Sequence, residues 1–395
     1  MTKNHILIFF RIFLLLILII MVFNKIGQVD SEEIDLIGHE DPIRSIDWSP
    51  DGSLVATSSI NKSLKIWNPI EGNIKWSFNF ESSIRFIQWN SEGTKIIVFL
   101  APGVDSNTSL KILDISKGTV QSEIQFSSEL ESMLGSLQPN SNILALTYFS
   151  LDSTGEIRRY RLALYDLTTN KFFNIISTNR TSSLNWVNNG KKLAFLEHFN
   201  DKMYVTVWDS TTNNFSLSFV EDDFIFFSSN KPVISFSPNN SLLALSRSYQ
   251  VSVGFIETTK YAVTIYDLNS TEIFMSRLRL DSRVTALSWK SNDEIFVGTS
   301  NNGARIWKIN PIHWAFDKDE DVQAFLDLET GIRDLDWDEN NNNLAFVYIN
   351  ANNASLFTID EIPKFVPTTT STNFLLIFSS IILISLYKIK RERLK

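Results

Sequence analysis

Short runs of alternating apolar and polar residues, each ended by a turn, fill the middle of the chain. The run Ile43–Trp48 follows an imperfect period of two, which is typical of a strand with unequal faces. The segment Ser49–Gly52 (SPDG) then predicts a tight turn, because proline fixes φ and glycine tolerates positive φ. Leu54–Ser58 and Ser63–Trp67 form two further strand patterns, separated by a second turn at Ile60–Lys62. The stretch therefore predicts a small antiparallel unit.

The same unit recurs along the chain, and two separate signals mark each copy. One is the residue that ends the first strand, and the other is the first residue of a pair that ends the third strand. Both recur seven times at spacings of 41 to 58 residues, which predicts seven units of about four strands each. The first set is Trp48, Trp89, Leu137, Trp186, Phe236, Trp289 and Trp337. The second set is Trp67, Leu113, Tyr165, Trp208, Tyr266, Trp307 and Phe357.

The pairs Gly38-His39 and Trp67-Asn68 resemble the Gly-His and Trp-Asp signatures of the WD-repeat β-propeller family. Trp208-Asp209 and Trp307 are further positions of this signature. The resemblance covers about residues 33 to 362 and implies an all-β, seven-bladed propeller. A propeller of another family is the alternative, since its blades are also four-stranded.

The resemblance also implies a hydrogen-bonded set within a blade. In the family, a histidine, a serine or threonine, a turn aspartate and a tryptophan tie the strands together. His39, Ser58 or Ser59, and Trp67 match that set, and Asn61 stands where the aspartate would be. In the same family, a segment such as Glu33–Ile37 completes the last blade and closes the ring.

Both ends of the chain are hydrophobic, and they predict membrane segments. Residues 1–30 read as a signal peptide or an uncleaved signal anchor, and 31–362 as the propeller. A Pro/Thr/Ser stalk at 363–373 precedes an apolar run at 374–387, which is short for a membrane span, and a basic tail at 388–395. A core strand or helix is the alternative for 374–387. The basic tail favours a cytoplasmic C-terminus with the propeller outside the cytoplasm.

Charge and composition exclude several classes of function. The net charge is −8, and the basic ends leave −14 for residues 31–387, which argues against nucleic-acid binding. No cysteine is present, so disulfides and thiolate metal sites are excluded. The segment Asp317–Asp321 begins like a calcium loop, but Val322 and Leu328 occupy the positions that need glycine and glutamate. No catalytic motif, metal site or cofactor is predicted.

One ring position is the candidate partner-binding site. In WD-repeat proteins, the residue after the first apolar residue of each first strand tends to face the entrance where partners dock. Here that residue is Arg44, Arg85, Thr285 or Arg333 in four repeats that become neighbours when the ring closes, and Arg283 lies two residues before Thr285. Arginine recognises carboxylate and phosphate groups through two hydrogen bonds. The alternative is that each arginine pairs with a nearby acid.

These observations favour a non-catalytic, membrane-held scaffold that presents a propeller to protein, peptide or glycan ligands. One alternative is an envelope hydrolase or glycan-binding protein, which a titratable cluster in the central channel would favour. Another is a cytoplasm-facing tether resembling the propeller exchange factors of the endoplasmic reticulum. Seven Asn-x-Ser/Thr sequons occur, about the number expected by chance in this composition, at Asn61, Asn107, Asn179, Asn214, Asn239, Asn269 and Asn353.

Overall fold

The computed structural model describes most of the chain between residues 33 and 359. The described ranges are 33–102, 108–126, 130–151, 157–200, 202–221, 232–253, 256–268, 275–301, 303–308, 322–326 and 330–359. Residues Met1–Glu361 form one compact unit and Ile362–Lys395 a second, which lies outside the described residues.

Strands that follow one another along the chain pair into antiparallel four-stranded sheets, and the described residues form seven such sheets. Six of these sheets, here called blades 1 to 6, each use four consecutive strands. Blade 1 contains β2 (Ile43–Trp48), β3 (Val55–Ser59), β4 (Ser63–Asn68) and β5 (Asn73–Asn79). Blade 2 contains β6 (Ile84–Trp89), β7 (Lys95–Leu100), β8 (Ser109–Asp114) and β9 (Thr119–Gln125). Blade 3 contains β10 (Leu130–Leu137), β11 (Ile143–Leu151), β12 (Ile157–Asp166) and β13 (Lys171–Ser177).

The remaining blades follow in the same order. Blade 4 contains β14 (Arg180–Trp186), β15 (Lys192–Phe199), β16 (Lys202–Asp209) and β17 (Asn214–Glu221). Blade 5 contains β18 (Ile234–Phe236), β19 (Leu242–Val253), β20 (Ile256–Asp267) and β21 (Met275–Leu280). Blade 6 contains β22 (Val284–Trp289), β23 (Glu294–Thr299), β24 (Ala304–Lys308) and β25 (Val322–Leu326). Blade 7 contains β26 (Ile332–Asp338), β27 (Asn343–Tyr348), β28 (Asn353–Thr358) and β1 (Glu33–Ile37).

The blades form a closed ring. The first strand of each blade contacts the first strands of both neighbouring blades, from β2 through β26 and back to β2. Blade 7 takes its outer strand from the start of the chain, because β1 pairs with β28 along its whole length, from Glu33 opposite Phe357 to Ile37 opposite Asn353. The expectation that Glu33–Ile37 completes the last blade is confirmed. Closure in this way leaves no gap at which a first or last blade would present an open face.

The two repeated signals of the sequence fall on equivalent places. The first set lies at or next to the end of each first strand, and the second set lies in the third strand opposite a residue of the second strand, as in Trp67 opposite Val55. The two central strands of blades 3 and 5 are longer than those of the other blades. In blade 5, the pairing of β19 with β20 continues from Leu242–Asp267 out to Val253–Ile256.

The hydrophobic core lies between the blades. A cluster of buried side chains joins blades 1 and 2, including Leu64, Ile66, Ile96 and Val98, and a second cluster joins blades 7 and 1. Alternation along each strand sends apolar side chains to both faces, and both faces are covered because each blade packs between two others.

Turns at one end of the ring are joined by hydrogen bonds that asparagine makes possible. Asn340 Nδ2 donates to the Pro50 carbonyl at 3.0 Å, and the Asn188 backbone N–H donates to Asn240 Oδ1 at 2.8 Å. Asn240 itself adopts a φ of +62°, a left-handed conformation that asparagine tolerates well. The many asparagines of the turns therefore connect neighbouring blades as well as forming the turns.

The expected fold class needs a correction at its ends. The described residues are all β, and none of them forms a helix long and apolar enough to cross a membrane. The predicted signal segment at 1–30, the stalk at 363–373, the apolar run at 374–387 and the basic tail at 388–395 lie outside the described residues. The prediction of those segments rests on hydropathy, flanking charge and composition.

Candidate partner-binding surface

Three of the four candidate arginines occupy the same structural position. Arg44, Arg85 and Arg333 are each the extra residue of a β-bulge in the first strand of blades 1, 2 and 7. The bulge arises because two residues of the first strand face one residue of the second, and it turns the extra side chain away from the sheet. All three side chains are exposed, while the residues on either side are buried or half-buried. We call them the bulge arginines.

The bulge arginines lie on consecutive blades. First strands β26, β2 and β6 contact one another in that order around the ring. None of the three side chains forms an ion pair with an acid among the residues that the structure describes. The ring therefore presents three guanidinium groups from equivalent positions in one sector.

The other members of the predicted sector behave differently. Thr285 occupies the bulge of blade 6, and its hydroxyl donates to the Ile332 carbonyl of blade 7 at 2.6 Å. Arg283 lies just before β22, is half-buried and has a polar interaction of its own. The structure thus separates Arg283 from the three exposed arginines.

Carboxylates lie beside the arginines, on the same first strands. Asp334 Oδ2 accepts a hydrogen bond from the Ile46 N–H at 3.1 Å, and Asp336 Oδ2 accepts one from the Trp48 N–H at 2.9 Å. Asp47 Oδ2 accepts one from the Trp89 N–H of the next blade at 3.3 Å. The first strand of a blade is a sheet edge with backbone groups that its own sheet leaves unpaired. These side chains satisfy such groups and link blade 7 to blade 1 and blade 1 to blade 2.

The link continues around the ring with neutral residues at the same position. Gln88 Oε1 accepts a hydrogen bond from the Leu137 N–H at 2.7 Å, and Ser288 Oγ accepts one from the Trp337 N–H at 3.2 Å. The side chain of the residue before the last residue of these first strands therefore accepts a hydrogen bond from the backbone of the next blade. Acidic residues occupy that position only in blades 7 and 1 within this series.

Crowding of carboxylates changes their protonation. Burial raises the pKa of Asp334 to about 7 and that of Asp336 to about 6. Burial and the neighbouring charge of Asp336 raise the pKa of Asp47 well above its ordinary value. The junction of blades 7 and 1 is therefore an acidic cluster that holds protons near neutral pH.

The hydrogen-bonded set around His39 is present, with different partners from those expected. His39 Nε2 lies 2.8 Å from Thr57 Oγ1, and Nδ1 lies 2.9 Å from Ser63 Oγ. Trp67 Nε1 donates to Thr57 Oγ1 at 2.7 Å, and Ser63 Oγ donates to Asn61 Oδ1 at 2.5 Å. Asn61 does take the place of the turn aspartate.

Ser58 and Ser59 do not join the His39 set. Successive residues of a strand point to opposite faces, so Ser58 faces away from Thr57 and instead contacts Ser45 Oγ at 2.6 Å. Ser59 Oγ donates to the backbone carbonyl of Asp41 at 2.9 Å. The prediction missed Thr57, although its place two residues before Ser59 on the face of Trp67 was the available signal. Burial lowers the pKa of His39 to about 4, so the ring is neutral at physiological pH.

The other signature residues also have structural roles. Trp208 is buried and packs edge-on against Trp186, with ring centres 6.2 Å apart. Asp209 Oδ1 accepts hydrogen bonds from Thr211 Oγ1 at 2.6 Å and the Thr211 N–H at 2.8 Å, which lower the pKa of its carboxyl. Trp307 lies in β24, and its backbone pairs with that of Ile295 in β23.

The part of the chain that the structure describes contains no group of three or more His, Asp or Glu residues placed to hold a metal ion. The segment Asp317–Asp321 lies outside the described residues.

Comparison with known proteins supports a WD-repeat β-propeller. Residues 31–68 match the family described as WD domain, G-beta repeat. Over 84 residues, the chain is 26% identical to eukaryotic translation initiation factor 3 subunit I of Neosartorya fischeri. Over 103 residues, it is 31% identical to the ribosome biogenesis protein BOP1 homolog of Dictyostelium discoideum. These matches cover 21% and 26% of this chain, but only 25% and 12% of the two relatives.

Solved structures resemble the chain over most of its length. The β-propeller domain of Cps50 (Swd1) from Myceliophteria thermophila superposes with a TM-score of 0.59 at 13% identity. Hydrazine synthase from Kuenenia stuttgartiensis superposes with a TM-score of 0.66 at 13% identity. Each comparison covers 82% of this chain and 97% of the other. At such low identity, the likeness concerns the fold alone.

Proposed function

We propose that this WD-repeat-like propeller is a non-catalytic interaction scaffold, and that the bulge arginines bind an acidic segment of a partner protein. The observation that carries the proposal is their shared position: three exposed guanidinium groups on consecutive first strands, without ion pairs among the described residues. Guanidinium groups bind carboxylates through two parallel hydrogen bonds, so the sector suits Asp- or Glu-rich peptide. The relatives are named as translation and ribosome biogenesis proteins, and protein partners fit that setting.

The acidic cluster sets a limit on what the sector accepts. Asp47, Asp334 and Asp336 lie on the first strands of blades 1 and 7, which also carry Arg44 and Arg333. A ligand that reaches past the bulge arginines therefore meets carboxyl groups whose raised pKa values leave them partly protonated near neutral pH. These groups offer an acidic side chain no charge attraction, so it is expected to bind at the rim. This combination favours surface docking of a peptide over insertion of an anionic group into the ring.

The test is binding of a fluorescent ten-residue glutamate-rich peptide, followed by anisotropy. The variant R44E/R85E/R333E reverses the charge of the three bulge positions. The variant K75E/K171E/K191E is a matched control, because it changes the net charge by the same amount at exposed positions elsewhere. We expect the first variant to lose binding and the control to retain most of it. Equal loss in both would show that binding follows net charge, and retention in both would refute the assigned surface.

We also propose that the propeller lies outside the cytoplasm and is held at a membrane by the apolar run at 374–387. The support is the sequence: the basic tail at 388–395 and Lys3, which precedes the N-terminal apolar run, both favour cytoplasmic ends. Protease protection in intact cells tests it, with epitope tags after Asp152 and after Lys395. Cleavage at the first tag with protection of the second is expected, and the reverse pattern would favour the cytoplasm-facing tether.

A propeller-based hydrolase is a second candidate, because the acidic cluster is the titratable group that such an enzyme would need. The hydrogen bonds that Asp334 and Asp336 make to backbone N–H groups give the same carboxylates a structural role. Glycosidase and esterase assays of the purified natural protein and of the variant D334N distinguish the scaffold from the hydrolase. Activity that this substitution abolishes, without loss of folding, would move the hydrolase to first place.

A further inference from the structure

The structure describes five of the seven sequon asparagines, and their surroundings differ. Asn61 Oδ1 accepts the Ser63 hydroxyl that anchors His39, so a glycan there would disrupt a buried network. Asn179 is half-buried and its Nδ2 donates to Glu197 at 2.9 Å. Asn353 is half-buried in β28, between β1 and β27, and the Ser355 of its sequon is buried.

Two sequons remain at exposed asparagines. Asn239 Oδ1 accepts hydrogen bonds from Ser237 Oγ at 2.8 Å and Ser241 Oγ at 2.7 Å, so its side chain forms part of a turn. Asn214 begins β17, directly after Asn213, whose φ is +56°. The Asn214 side chain makes no hydrogen bond to any other described residue.

Exposed apolar side chains lie next to Asn214 in β17 and on the outer strand of blade 3. Phe215 and, on the outer strand of blade 3, Phe173 are each 56% exposed, and Ile175 is 50% exposed. Asn174, between the two blade 3 residues, donates to Asn213 Oδ1 at 3.0 Å, so the outer strands of blades 3 and 4 meet here. Outer strands are sheet edges, and exposed apolar side chains on such edges promote association between molecules.

We propose that Asn214 is an N-glycosylation site and that its glycan covers this apolar edge. In the reaction, the amide nitrogen of Asn214 forms a bond to the anomeric carbon of an oligosaccharide carried on a lipid diphosphate. The bond from that carbon to the diphosphate breaks, the lipid diphosphate leaves, and the amide loses one proton. The glycan is in general attached before the chain folds. Chains that carry a glycan at a sequon asparagine that is buried or hydrogen-bonded in the native structure are therefore expected not to fold.

The inference rests on the extracytoplasmic placement proposed above, and two forms of the full chain separate the two ideas. One form carries a cleavable export signal in front of Met1, which forces export in a glycosylating host. The other form has no addition. In both, the folded monodisperse fraction is treated with a glycan-removing amidase in heavy-oxygen water, and mass spectrometry reports occupancy at each sequon.

In the forced form we expect occupancy at Asn214, with Asn61, Asn179 and Asn353 unmodified in the folded fraction. N214Q should lose one glycan-sized mass step, while the matched variant N179Q should not. An unmodified Asn214 in this form overturns the assignment, whatever the other sequons show. Occupancy in the forced form but not in the natural form overturns it for the natural protein and shows that the proposed orientation is the part that failed.

Glycan removal from the forced form tests whether the Asn214 glycan covers the apolar edge. Light scattering after chromatography should show more association in the treated sample and in N214Q than in the untreated protein. Equal association in treated and untreated protein would refute shielding of the outer edge by the glycan. Binding of the glutamate-rich peptide by the bulge arginines is independent of either result.

Discussion

Replacing Asp336 by asparagine should stabilise the propeller increasingly as pH rises. Asp336 is ionised in the unfolded chain above pH 3.8, but in the folded ring its pKa is raised to about 6. Below pH 3.8 the group is protonated in both states and contributes nothing. As pH rises from 3.8 through 6, the unfolded state loses its proton first, so the free energy of unfolding falls, and the loss is complete above pH 6.

The size of the effect follows from the two pKa values. A rise from 3.8 to about 6 costs the folded state about 3 kcal/mol at pH 8, and about 1 kcal/mol of this is already present at pH 4.5. The stability of D336N relative to the natural protein should therefore shift by about 2 kcal/mol in favour of the variant between pH 4.5 and pH 8. Asparagine keeps only one of the two acceptor oxygens that serve the Trp48 and Trp337 N–H groups, so one hydrogen bond is lost at a cost of about 1 kcal/mol. This cost is the same at every pH and does not enter the shift.

Urea unfolding at several pH values, followed by tryptophan fluorescence, provides the measurement. Comparing variant with natural protein cancels the titration of His39, whose pKa of about 4 makes the folded state less stable as pH falls from 6.5 to 4. D209N is the control of opposite sign, because hydrogen bonds from Thr211 lower the pKa of Asp209. The difference in the free energy of unfolding between D209N and the natural protein should change little between pH 4.5 and pH 8. The small change should have the opposite sign to that of D336N. A flat difference for D336N would refute the view that burial of the Asp336 carboxyl group destabilises the junction of blades 7 and 1.

Three further outcomes are expected. Leu36→Ala should lower the free energy of unfolding by about 2–5 kcal/mol, since Leu36 is fully buried in the strand that closes the ring. Ile37→Ala should change it little, since Ile37 is 72% exposed. Denaturant unfolding of both variants measures the difference. Thr57→Val should cost about 2–3 kcal/mol, because it leaves His39 and Trp67 without their shared partner in a buried site; near-ultraviolet circular dichroism and urea unfolding report the change. Peptide binding by the bulge arginines should weaken as salt rises, and a salt-independent affinity would contradict charge-based docking.

Local pattern was sufficient for much of the fold and for the position of the arginines. Alternation, turn residues and repeated Trp positions located strand ends such as Trp48 and Trp67, because both follow from a period of two and from the φ angles of Pro and Gly. Position in the repeat also placed Arg44, Arg85 and Arg333 at one level of the ring. The bulge itself was not predicted, since an extra residue in one strand is visible only against its partner strand.

Contacts across blades could not be predicted from the sequence. Asp334 and Asp336 lie two residues apart on one first strand, but their hydrogen-bond partners, the N–H groups of Ile46 and Trp48, are 288 residues away in sequence. Burial raises the pKa values of both carboxyl groups, and that burial is not visible in the local sequence. Similarly, the sequence predicted a sector of four arginines, and the structure exposes three of them at equivalent positions while Arg283 is half-buried.

The sequence by itself determined the elements that depend on near neighbours: strands, turns, repeat length and the strand at 33–37 that is left without a partner in its own repeat. The tertiary structure decided everything that depends on how one blade meets the next, including which oxygen atoms satisfy the inner edges, which histidine partner is used and which sequons stay accessible. The physical reason is that a strand's side-chain direction is set locally every second residue, whereas burial and charge are set by whichever strand ring closure brings beside it.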